Sequence, residues 1–109
     1  MYDLAPESYL TVSAAGLILE ANLSASNLLG LSHSALVKQP LGNLVVAEDQ
    51  DVFYFWRKRL LAESTPQLCK LRLRAMDGTS PWVTLAATLA REEGSEPQCR
   101  VVITDITAH

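Results

Sequence analysis

Few side chains in this 109-residue chain could do covalent chemistry, and they are scattered. His33 follows a glycine in a loop pattern and His109 ends the chain, so both read as solvated surface histidines. Cys69 and Cys99 have neither the spacing nor the histidine companions of a zinc site, and two cysteines are too few for a disulfide scaffold. Cys69 falls on the apolar side of an alternating run and reads as a small buried hydrophobe. No serine, histidine and acid form a nucleophile with a positioned base, and no glycine-rich phosphate loop occurs. Neither catalysis nor a resident metal is expected.

Three groups could bind rather than react. The acids Glu48, Asp49 and Asp51 have the chemistry of a cation site, but a helix start accounts for them more simply through its macrodipole. Lys70, Arg72 and Arg74 line one side of a strand pattern and could meet an anion; in a chain of net charge −3 a solvated strand face accounts for them. Phe53 and Trp56, with Leu36, Leu41, Leu44, Val52, Leu71 and Leu73, could line a small-molecule pocket, and the same set equally describes a filled core. Polar groups able to orient a ligand are few, namely Asn27, Thr84 and Thr88, so any ligand here would be mostly apolar or bound through waters.

Length and composition place these groups on a single globular domain, 1–109, that needs no staple: 49% of residues are hydrophobic and 19% charged. A net charge of −3 gives no general attraction for nucleic acid. The apolar runs are too short to enter a bilayer, and no basic start leads into an apolar core, so a cytoplasmic module without membrane insertion is expected.

The densest β-branched run, Arg100-Val101-Val102-Ile103-Thr104, reads as a central strand covered on both faces. Residues 1–8 form a lead-in segment. Tyr9–Ser13 and Leu17–Ala21 pair through a turn at Ala14-Ala15-Gly16. Asn22 then caps a helix that stops at Gly30. Leu31–Val46, broken by Ser32, Pro40 and Gly42, gives short helical turns that cover the core. A long helix follows, with Val52, Phe53, Trp56 and Leu60 inward and Tyr54 and Lys58 outward. Gln67–Met76 alternates with Cys69, Leu71, Leu73 and Ala75 on one side, turns at Asp77-Gly78, and returns as Trp82–Ala90. The pattern is α+β with helices on one face of an antiparallel sheet.

Across nearly its whole length the chain resembles the PAS sensor-domain family. Gly16-Leu17-Ile18-Leu19-Glu20-Ala21-Asn22 is similar to that family's G-x-I-x-x-x-N, and Leu28-Leu29-Gly30 to its LLG. Ala47-Glu48-Asp49 resembles the end of h-P-E-D, Asp77-Gly78 with Trp82-Val83 the turn before its fourth strand, and Asp105-Ile106-Thr107 its DIT exit. Lys38 and Ala47 depart from a frequent glycine and proline.

The resemblance implies a five-stranded antiparallel sheet of order 2-1-5-4-3, helices on one face around a pocket, and a core spanning 9–107. It also implies a sensory or regulatory input domain of a signalling protein, most often a histidine kinase, that binds a small apolar ligand or a partner. Its state would pass through Asp105, Ile106 and Thr107 to an effector domain on the C-terminal side. The alternative is a ligand-free dimerisation or spacer module in a histidine kinase or cyclic-dinucleotide signalling protein, and in either case a homodimer is expected. Haem-binding members present a histidine near the long helix and flavin photoreceptors a cysteine after the first helix; this chain has neither, which disfavours both cofactors. The implied strand order separates Cys69 from Cys99 by one strand, roughly 9–10 Å, too far for a disulfide.

Overall fold

A computed structural model describes residues 7–63, 65–91 and 93–106. The elements are β1 (Ser8–Ser13), β2 (Ile18–Ala21), α1 (Leu23–Leu29), α2 (His33–Leu36), 3₁₀ turns at Leu41–Leu44 and Ala47–Asp49, α3 (Gln50–Glu63), β3 (Gln67–Arg72), β4 (Trp82–Ala90) and β5 (Gln98–Asp105). The sheet is antiparallel throughout in the order β2-β1-β5-β4-β3. No helix among the described residues is long and apolar enough to cross a membrane.

β5 is central as expected, but for a different reason. Only its inner side is covered: Cys99, Val101 and Ile103 are buried, while Arg100 and Thr104 are exposed and Val102 is half-buried. Its position comes from pairing along both edges, with β1 from Ser8↔Ile103 to Ser13↔Gln98 and with β4 from Val83↔Asp105 to Ala90↔Gln98. Branched side chains fit such a pleat whether one face or two are buried, so their density does not tell the cases apart.

Local signals act where the sequence places them. Asn22 Oδ1 accepts the Ala25 N–H at 3.0 Å and the Tyr9 N–H at 3.0 Å, so one side chain caps α1 and anchors it to β1. Gly30, at φ 71, closes the helix with its N–H on the Ser26 carbonyl. β2 carries a bulge: Thr11 pairs with Glu20 but Val12 with Ile18, which leaves Leu19 as the extra residue. Beyond Arg72 the β3–β4 hairpin closes at Asp77-Gly78, where Asp77 Oδ1 accepts from the Thr79 N–H at 3.0 Å and hydroxyl at 2.6 Å.

The segment between α2 and α3 is stitched to both outer strands. On the β2 side, Lys38 N–H reaches the Ile18 carbonyl at 2.6 Å and Ile18 N–H the Gln39 carbonyl at 2.9 Å. On the β3 side, Val46 N–H reaches the Arg72 carbonyl at 3.1 Å and Arg74 N–H the Leu44 carbonyl at 2.7 Å. These bonds satisfy backbone groups that an open edge would expose.

The reversal on the β2 side puts Lys38 at φ 74, the one non-glycine with positive φ among the described residues. An L side chain there costs about 1–2 kcal/mol, more than the roughly 0.5–1 kcal/mol that glycine loses to unfolded-chain entropy. Lys38→Gly is therefore expected to raise the unfolding free energy by about 0.5–1 kcal/mol in a urea titration. An unchanged midpoint would count against strain at this turn.

Candidate functional site

The helical layer and the inner face of the sheet enclose the residues expected to form a pocket. Leu36, Leu41, Leu44, Trp56, Leu71 and Leu73 are buried and Phe53 is half-buried. Val52 is not among them: it is 40% exposed. The inward arc of α3 is centred on Phe53 and Leu60, and at ~100° per residue Val52 lies about a quarter turn away from that centre. Asn27 and Thr88 are exposed, and Thr84 alternates with the buried Val83 and Leu85, so these polar groups do not face the interior.

The cavity beside α3 measures about 10 Å³ and is lined by Leu41, Phe53 and Trp56 from the expected set, together with Val12, Leu60 and Val101. That is room for one water at most. The Phe53 and Trp56 rings are 5.9 Å apart, and a Cβ on Gly42 would stand 3.1 Å from Phe53 Cε2, so glycine lets this turn close on the ring. Trp56 Nε1 donates to the Gln67 carbonyl at 3.2 Å, which fixes the indole. Arg57 crosses from α3 to the β1–β2 turn, where Nη2 donates to the Ala14 carbonyl at 2.7 Å. A long-range contact of this kind leaves no periodic signal.

The acidic and basic groups also differ from their sequence reading. Asp49 is buried and does more than complement a helix dipole: Oδ2 accepts the Arg72 N–H at 2.8 Å and Nε at 3.1 Å, and Oδ1 accepts Nη2 at 3.2 Å. This fork holds the Asp49 carboxyl below the usual carboxylate range, chiefly through the Arg72 side-chain bonds and against the opposing effect of burial. Arg72 is thus a structural cation rather than part of a solvated stripe. Its guanidinium also sits 4.9 Å from the centre of the Trp82 ring, with Lys70 Nζ at 5.7 Å.

The Trp82 carbonyl in turn accepts the Ile106 N–H at 2.9 Å. A run of direct contacts therefore leads from the start of α3 through Asp49, Arg72 and Trp82 to the C-terminal exit. Asp105 ends β5 opposite Val83; Thr107 lies outside the described residues.

His33 opens α2 rather than lying in a loop, and its Nε2 stands 3.4 Å from Glu20 Oε1 on the surface. Both cysteines are free. β4 separates their strands as expected, but Cys69 aligns through Leu85 with Ile103, four residues beyond Cys99, which adds roughly 13 Å along the strand. Burial pushes the Cys69 thiol up to about 12 and raises that of Cys99 as well, so neither carries a reactive thiolate near neutral pH. On the opposite face of the sheet, Tyr9, Leu68, Ala86, Arg100 and Val102 border an open groove of about 520 Å³.

The family model described as the PAS fold matches residues 1–106. Among solved structures, a PAS domain from Colwellia psychrerythraea aligns at a TM-score of 0.86 and 18% identity, over 99% of this chain and 92% of that one. The N-terminal domain of a diguanylate cyclase with a PAS/PAC sensor from Marinobacter aquaeolei gives 0.79 and 16%, over 94% and 96%. A domain of a sensory box histidine kinase/response regulator from Geobacter sulfurreducens gives 0.78 and 17%, over 93% and 84%. Among curated proteins none matches. With the family model covering nearly every residue and the sheet order and helical layer in place, the chain belongs to the PAS fold family.

Proposed function

We propose that this PAS domain is a cytoplasmic sensory or regulatory input domain of a larger signalling protein, of the classes that include histidine kinases and diguanylate cyclases. It takes its input from contact with a protein partner rather than from uptake of a small molecule. The observation that carries the reading is the run of contacts from Asp49 through Arg72 and Trp82 to Ile106, which ties the start of the long helix to the C-terminal exit. A partner that moves the first turn of α3 changes the seat of the Asp49 carboxylate. Arg72 then shifts on Trp82, and the backbone bond that holds Ile106 is biased between two arrangements. Asp105 and Thr107 pass that bias to whatever follows. The 10 Å³ cavity supports contact over ligand, since a small apolar molecule would have to displace Phe53 or Trp56 to enter. A cytoplasmic setting suits two free thiols.

In the intact parent protein, Asp105→Ala should uncouple regulation from output while the domain stays folded by circular dichroism; unchanged regulation would sink the transmission role. Native mass spectrometry of the 109-residue chain tests the input. An empty, concentration-dependent dimer supports contact, whereas a retained small molecule restores the ligand-binding reading.

A further inference from the structure

α3 turns an apolar stripe towards solvent. Beside the arc that buries Trp56 and Leu60, Val52 is 40% and Phe55 59% exposed. Val52, Phe55, Arg59 and Ala62 follow one another at spacings of three, four and three residues, which places them along one line of the helix. Tyr54, 56% exposed, stands edge-on to Phe55 at 5.4 Å and carries Lys58 Nζ 5.7 Å above its ring. Two adjacent exposed aromatics and a valine on one helix are more apolar surface than a solvated helix face normally shows.

The charges around the stripe select the occupant. Glu48 and Asp51 lie at its N-terminal end, Lys58 and Arg59 at its C-terminal end, and Asp51 and Arg59 stand four residues on either side of Phe55. Among the described residues neither Asp51 nor Arg59 has an ion-pair partner. An acid and a base placed symmetrically about a central aromatic form a self-complementary pattern, the requirement for a two-fold interface in which both subunits use the same patch. We propose that this face of α3 binds the same face of a second copy, antiparallel, about a two-fold axis through Phe55. Each Asp51 then meets the partner's Arg59 and the two Phe55 rings meet at the centre. A parallel pairing would set acid against acid and base against base.

This interface rests on the contact-driven reading above and gives it a surface. It lies on the helix whose N-terminal side begins beside Asp49, with Asp49 turned inward to Arg72 and Asp51 outward. One helix of fourteen residues is ~21 Å long and buries less than the ~1,200 Å² of a standard interface, so the association is weak and depends on concentration. Tethering within a larger protein raises the effective concentration.

Sedimentation velocity on the 109-residue chain, with circular dichroism to confirm folding, tests the proposal through charge reversal. The wild type is expected to dimerise reversibly. Asp51→Arg and Arg59→Asp should each weaken the dimer at least about tenfold, because each places like charges together at both ends. An equimolar mixture of the two variants should associate again, since each carries the charge the other lacks; a mixture that stays monomeric overturns the antiparallel pairing. A wild type monomeric at millimolar concentration overturns both this interface and self-contact as the input. A dimer indifferent to both reversals and to Phe55→Glu, but lost in Leu68→Glu, overturns the α3 interface alone and moves the contact to the outer face of the sheet.

Discussion

Replacing Trp56 by alanine is expected to lower the unfolding free energy by about 3–5 kcal/mol, a large share of the ~5–15 kcal/mol that holds a domain of this size together. Trp56 is buried at the centre of the α3 contact with the sheet, beside a cavity of about 10 Å³, and its indole N–H bonds the Gln67 carbonyl. Alanine removes the buried ring, enlarges the cavity and leaves the neighbouring leucines without contacts they cannot regain by small shifts. In urea the midpoint should fall with little change in slope. The enlarged space is apolar, so indole added to the variant should raise its midpoint and leave the wild type unmoved. Trp56→Phe keeps most of the volume and should lose distinctly less. If alanine cost under about 1 kcal/mol, the interior would be loosely packed and the case against an internal ligand would weaken.

Asp49→Asn is expected to cost about 2–3 kcal/mol at neutral pH, because the amide keeps one acceptor but loses the charge-assisted fork to Arg72. The loss should depend on pH in a set direction. The Asp49 carboxyl titrates lower in the folded protein than its ordinary value of 3.8, so in acid the unfolded chain binds the proton more readily. The stabilisation is therefore complete above the unfolded value and disappears as pH falls through the depressed folded value. Urea midpoints of wild type and variant should differ by a constant amount above about pH 5 and converge towards pH 2. A gap that stayed constant down to pH 2 would mean that the ion pair is not its source. The same variant bears on transmission: with the fork gone, Arg72 is no longer held between α3 and Trp82, and regulation in the parent protein should weaken even where the domain remains folded.

What the sequence determined by itself is whatever a few neighbouring residues decide. Alternation in Leu71 and Leu73, and in Val83, Leu85 and Ala87, marked the buried side of two strands, because successive strand residues point to opposite faces. Asn22 and Gly30 marked the ends of α1, because a cap is a contact between a residue and the turn beside it. The departure from the family's frequent glycine at Lys38 was visible in the sequence, but the positive φ that this residue takes was shown only by the structure. Sheet order followed from motifs in sequence order rather than from any one residue. Tertiary structure alone decided what depends on how elements lie against one another. The rotation of α3 about its axis put Val52 in solvent and Phe53 inside, although both fall within the apolar arc that a helical wheel allows. The approach of α3 to β3 paired Asp49 with Arg72 across 23 positions, and the packing of Phe53 and Trp56 against the sheet set the size of the cavity beside them at about 10 Å³. Such choices rest on contacts between residues far apart in the chain, and a local pattern of polar and apolar residues records which side of an element is inward but not what it meets there.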